Sequence, residues 1–364
     1  ILNNAQTWTN NAAAAFTVNA TLNNGGNTLT FTGSGTTSFG NSAAAVISGA
    51  GGVTMNGTGR LFLGAGQAPA HTYNGATTLN GGVTMISGNL PSNSNLVMNG
   101  GVLESYWTTG LTRAQGTGAG QIQITGGESG FGTNGSTGAT FDIGAVTWGS
   151  ATFNPTKFVL QTVYSQGTSS ATFSSAINLN GATRTIVANS GAAGTATSTI
   201  SGVISNTSGT AGLVKEGPGR LNLTQTNTFN GPVTVSGGSL FVSVLANGGS
   251  NSGLGNSTAA ASNILLANGT TLGYTGGAVS TNRSFTINGT AAGHGASIDA
   301  SGSGALTMTA TASPAYGTVD QTRTLTLTGT NTANNTFAAN IADNGTGAVS
   351  LTKSGTGAWV LSGT

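Results

Sequence analysis

The sequence predicts an all-β fold, a parallel β-solenoid of stacked coils, on three observations. A block of residues occurs twice and begins a third time. Short clusters alternate apolar residues with Thr, Ser or Asn and stop at Gly or Asn-Gly. Charge is nearly absent: of 364 residues, 9 are Lys or Arg and 7 are Asp or Glu, 4% together, against about 25% in an ordinary soluble domain.

The block first reads Gly57-Thr-Gly59-Arg-Leu61-Phe-Leu63, followed by His71-Thr-Tyr73-Asn-Gly75. It returns as Gly217-Pro-Gly219-Arg-Leu221-Asn-Leu223, then Asn227-Thr-Phe229-Asn-Gly231 and, after a short strand, Gly237-Gly238. The third copy, Lys353-Ser-Gly355-Thr-Gly357-Ala-Trp359-Val-Leu361, stops before the next Asn-Thr-aromatic, so the sequence reads as a piece of a longer array. A repeat of this period means supersecondary units that bury their apolar faces on their neighbours. The strands are clusters such as Leu29-Thr-Phe-Thr32, Ile122-Gln-Ile-Thr125, Val233-Thr-Val-Ser236 and Leu325-Thr-Leu-Thr328, with period two and β-branched enrichment. No stretch has helical spacing with caps; Ala12 to Ala15 is too short to nucleate a helix.

The corners are Asn-Gly pairs, as at Asn24, Asn99, Asn180, Asn230 and Asn344, where both residues tolerate positive φ. Antiparallel hairpins would use the same pairs in type I′ turns. Low charge favours the solenoid. Coils stacked about 4.8 Å apart set like residues over one another; like charges would repel, whereas Asn, Thr and Ser form ladders. Coils of about 20–25 residues would give roughly 15–18 turns and a rod of about 75 Å, one continuous domain over 1–364. Thin aliphatic strands suit a narrow core, with Trp8, Trp107 and Trp148 capping ends or packing under loops. Segments 245–261 and 309–321 read as projecting loops.

Composition narrows the function. The nine basic residues are dispersed and carry no nucleic-acid footprint. There is no Cys, hence no disulfide framework, and no run of about 18 apolar residues to span a membrane. Ile1 opens without a signal segment. Of the seven acids, the nearest pair in the sequence is Glu128 and Asp142; the rest read as isolated surface or corner acids, since catalytic carboxylates cluster. His71 stands where the second copy has Asn227, a turn position, and His294 has no companion ligands. No catalytic residue, metal or cofactor is expected. Lys215 and Lys353 recur in the block and read as solvent-facing residues that interrupt stacking.

Leu213-Val-Lys215-Glu-Gly217-Pro-Gly219-Arg-Leu221-Asn-Leu223 and Leu351-Thr-Lys353-Ser-Gly355-Thr-Gly357-Ala-Trp359-Val-Leu361 resemble the autotransporter-associated β-strand repeat. That pattern joins Leu-x-Lys-x-Gly-x-Gly-x-Leu-x-Leu to Asn-Thr-aromatic-x-Gly. The resemblance covers 47–86, 204–244 and the incomplete 341–364, about a third of the chain. The first copy departs with Met55 at the Lys position and four extra residues before His71. The resemblance implies a right-handed parallel β-helix, secreted or on a bacterial surface; the outer-membrane barrel that often ends such proteins is not read in these residues.

The expected function is structural and extracellular: a β-helical rod, stalk or filament subunit, whose open coil edges join units end to end. One alternative is an adhesin passenger that binds glycans or surface proteins through projecting loops. The other is a polysaccharide-active β-helix using Glu128 or Asp142.

Overall fold

The computed structural model describes residues 1–40, 45–64, 71–88, 90–106, 110–135, 138–165, 168–191 and 194–363. Trp107 lies outside them. The ladders that join the strands are parallel and almost everywhere in register, with one bulge where Met98 and Asn99 meet Ile124 and Gly126. The chain is a parallel β-solenoid, and among the described residues a single 3-10 turn, Ala261–Asn263, interrupts the β structure. Contacts divide it into two compact units, residues 1–175 with 189–198, and residues 176–188 with 199–364.

In the first unit each coil runs from one sheet to the next. One sheet stacks Gln6–Thr9, Leu29–Thr32, Val53–Met55, Thr77–Leu79, Leu96–Asn99 and Ile122–Gly126. A second begins Phe16–Val18, Thr36–Phe39, Arg60–Leu63, Val83–Ile86 and Val102–Ser105, and continues through Glu128–Thr133 to Lys157–Leu160. A short third stacks Leu22–Asn23, Ile47–Gly49 and Thr72–Tyr73, and ends there. In the second unit one face stacks Arg184–Ala188, Leu213–Glu216, Val233–Val235, Ile264–Leu266, Thr286–Ile287 and Ala315–Tyr316. The next runs from Arg220–Leu223 through Ser239–Val242, Thr270–Tyr274, His294–Ala300 and Arg323–Thr328 to Val349–Lys353. The last stacks Val279–Thr281, Leu306–Met308, Asn335–Phe337 and Trp359–Leu361.

Alternation explains these strands. Leu29 and Phe31, or Leu325 and Leu327, are buried while the Thr between them are half-exposed, as a period-two ribbon over a one-sided core requires. Leu61, Leu63, Leu221 and Leu223 are core residues. Of the third copy, Trp359 is half-buried and Leu361 is 53% exposed. The motif glycines divide by cause. Gly217 sits at φ +81°, where a Cβ is strained, whereas a Cβ on Gly231 would stand 2.4 Å from the Ala211 carbonyl carbon of the coil beneath.

Coil length corrects the expected 20–25 residues. Thr77 pairs with Leu96, 19 residues on, and Val233 with Ile264, 31 residues on. A face of the first unit carries seven strands and a face of the second unit six, fewer together than the roughly 15–18 turns anticipated from shorter coils. The core is correspondingly less aliphatic. Around the long coils that pair Val102 with Gly130 and Glu128 with Lys157 lies an aromatic cluster. Phe131 stacks on Phe141 at 4.6 Å, and Phe158, Phe173 and Phe153 crowd beside it. A longer coil encloses a wider section, and close packing demands larger side chains to fill it. Trp148 is buried there and donates to the Pro155 carbonyl at 2.8 Å. Trp8 packs edge-on to Phe31 and stacks on Phe39.

Candidate functional site

A set of polar and charged side chains turns inward and holds corners and loops. Lys215 corrects the solvent-facing reading: it is fully buried. Its Nζ donates to the carbonyls of Gly217 and Gly237 at 2.7 Å each, and to that of Gly219. Those three carbonyls belong to the glycine corners of two successive coils, so one ammonium ties a corner to the next. Burial pushes its pKa down to about 8. Met55 fills the same place in the first copy and is also buried. Lys353 is exposed and holds the carbonyls of Ser354 and Gly355.

The residue that opens Asn-Thr-aromatic is a clamp between coils. The backbone N–H of Ile204, first residue of its strand, donates to Asn227 Oδ1 at 2.8 Å. The N–H of Ile47, in the equivalent place, donates to His71 Nδ1 at 3.0 Å. A third clamp escaped the sequence reading: the N–H of Leu306 donates to Asn335 Oδ1 at 2.8 Å. Asn335-Thr-Phe337 carries the triplet, without the Lys-x-Gly-x-Gly lead that had been used to find it. Because His71 Nδ1 accepts, the ring is neutral with its proton on Nε2. Burial holds its pKa near 4.

Buried arginines secure the loops. Arg283, 2% exposed, donates to the carbonyls of Ala246, Ser250, Gly255 and Ser257, and to the Ser257 hydroxyl. That set spans the loop read as 245–261, which is also bridged from Asn227 to Ser252 and anchored by buried Leu254. Arg323, 1% exposed, collects Gly289, Ala291, Thr318 and Thr322; Thr318 lies in the 309–321 loop and Thr322 just after it. Arg113 collects Leu90, Pro91 and Ser94. Each guanidinium offers five N–H donors in a rigid fork, which suits it to gather carbonyls that a loop leaves without sheet partners.

The acids do not gather. Glu128 forms an exposed ion pair with Lys157 at 3.3 Å. Asp142 accepts from the Gly144 amide and the Ser175 hydroxyl. Glu104 was read as an isolated surface acid; it is instead fully buried and paired with Arg60 at 3.1 Å. It also accepts from Thr162, Ser165 and Asn134, while Tyr164 and Phe62 flank the Arg60 guanidinium at 4.5 and 4.6 Å. Its partners lie 30 to 61 residues away, so only stacking brings them together. His294 stands in a strand beside Arg323. Among the described residues no three His, Asp or Glu gather as metal ligands, and no helix is long and apolar enough to cross a membrane.

Three segments, 53–84, 213–241 and 351–364, match the passenger-associated transport repeat family; they fall inside the three blocks. The chain is also similar to the adhesin BmaC autotransporter of Brucella suis biovar 1 (strain 1330), 36% identical over 184 residues. That alignment covers 50% of this chain and 5% of the relative. No solved structure matches. The chain carries autotransporter passenger-type repeats, which mark an extracellular or cell-surface protein.

Proposed function

We propose that this chain is a stretch of a surface-displayed adhesin passenger, in which the solenoid is the scaffold and the loops held by buried arginines are the contact elements. The observation that carries the reading is Arg283. Five hydrogen bonds to one loop, from a cation withdrawn from water, fix that loop in advance of any partner, and pre-organisation lowers the entropic cost of binding. The adhesin relative supports the same reading from sequence. Replacing exposed loop residues, as in Asn247→Ala with Asn251→Ala, is expected to reduce adhesion of cells or beads coated with the chain. Circular dichroism and thermal midpoint should stay unchanged. Adhesion unaffected by changes in any of the three arginine-held loops would refute it.

The end-to-end assembly expected from the sequence is a finer claim within this proposal. It draws on the parallel ladders, in which an unpaired coil edge is a template for a further strand. Light scattering at rising concentration is expected to show growing species; a constant monomer mass would dismiss it.

A further inference from the structure

The short third sheet of the first unit ends at Thr72–Tyr73. The next coil is the one that advances by only 19 residues, from Thr77 to Leu96. It has too little chain to lay another strand on Thr72–Tyr73, and residues 90–94 turn past it as a loop. The step left behind is a pocket of about 340 Å³, lined by His71, Thr72, Asn74, Leu90, Pro91, Ser92 and Asn93. That volume lies at the lower end of ligand pockets, about 300–1,000 Å³.

Its chemistry is graded. His71, Leu90 and Pro91 are buried and make the floor; Thr72, Asn74, Ser92 and Asn93 are exposed and make the rim. Asn93 Nδ2 reaches Asn74 Oδ1 at 3.5 Å, from one wall to the other. The lining has no charge. The nearby cation, Arg113, is turned behind the loop and donates to the carbonyls of Leu90, Pro91 and Ser94 at 3.1, 2.9 and 2.6 Å. That grip makes residues 90–94 a rigid wall. Behind the floor, shut off from solvent, is a donor without a protein partner among the described residues. His71 Nδ1 accepts from Ile47, so Nε2 carries the proton, and Nε2 is buried with no partner among the described residues. Buried donors without acceptors are rare in folded proteins.

We propose that this pocket binds one neutral sugar residue, a hexose or an N-acetylhexosamine at the end of a glycan. The His71, Leu90 and Pro91 surface meets the C–H face of the pyranose ring. The amides and hydroxyl groups of the rim donate to and accept from its hydroxyl groups. An anionic sugar finds no free counter-charge among the described residues, because the nearby Arg113 is spent on carbonyls. The proposal deepens the adhesin reading and rests on it.

The test uses the full chain on an array of neutral and sialylated glycans, with cell adhesion measured in parallel. Neutral terminal sugars are expected to bind. Ser92→Ala with Asn93→Ala, both at exposed positions, should weaken that binding at least tenfold, while Asn251→Ala in the Arg283 loop leaves it unchanged. No array binding, binding of sialylated glycans alone, or binding indifferent to the rim variant would overturn the pocket assignment. Adhesion that persists in any of those cases leaves the adhesin reading standing; loss of both defeats both.

Discussion

Acid should loosen the first clamp and leave the other two intact. His71 accepts the Ile47 N–H only while its Nδ1 is unprotonated, and the buried ring holds its pKa near 4, against an ordinary 6.5. Tyr73 and Phe39 pack against the ring. The unfolded chain therefore takes up the proton first. The stability that the neutral ring contributes is complete above about pH 6.5, declines as pH falls, and is lost by about pH 4. The gap of about 2.5 units corresponds to roughly 3 kcal/mol. His71→Asn installs the residue found at Asn227 and Asn335, which accepts the same hydrogen bond and does not titrate. Hydrogen exchange at the Ile47 amide, corrected for intrinsic rate, is the assay. Wild type should lose protection between pH 6.5 and 4.5, by about tenfold per unit, while His71→Asn stays flat. Equal losses in both proteins, or none in wild type, would refute the reasoning.

Other expectations follow from the same packing. Lys215→Ala strands three corner carbonyls around a cavity and should cost about 3–5 kcal/mol in urea unfolding; Lys215→Met, which copies Met55, should cost less than half as much. Glu104→Ala leaves the half-buried Arg60 without its counter-ion and should also cost about 3 kcal/mol. Glu128→Ala, which removes an exposed pair, should cost under about 1 kcal/mol by the same measurement. Gly231→Ala forces a methyl against the Ala211 backbone and should lower the thermal midpoint by several degrees, a cost of about 1–3 kcal/mol.

The fold was legible because its signals are local. Leu29-Thr-Phe-Thr32 announces a half-buried strand, and the near-absence of charge announces stacking. Coil length was not legible, since it depends on how many residues each corner absorbs, and corners accept loops as short as 80–82 or as long as 243–260. The inward lysine could not be read from one copy. Met55 at the same position was the available clue, because a position that alternates between Lys and Met is apolar along most of its length. Asn227, read as a turn residue, proved to be a clamp whose partner lies a whole coil back. The Glu104 network and the pocket beside His71 depend on which coils are short and which loops fold over them. No spacing in the sequence records that.

The central claim is that successive coils lie parallel and in register. Thr7, Thr30, Thr54, Thr78, Val97 and Gln123 form one column in the first unit. Cysteines introduced at Thr7 with Thr78, and at Thr7 with Gln123, can carry spin labels without interference, because the chain has no Cys of its own. Three and five steps of about 4.8 Å place the paired backbones about 14 and 24 Å apart. Pulsed and continuous-wave electron paramagnetic resonance should return distances that grow by that increment per coil. Distances that alternate, or that do not scale with the number of coils between the labels, would contradict the stacked parallel solenoid.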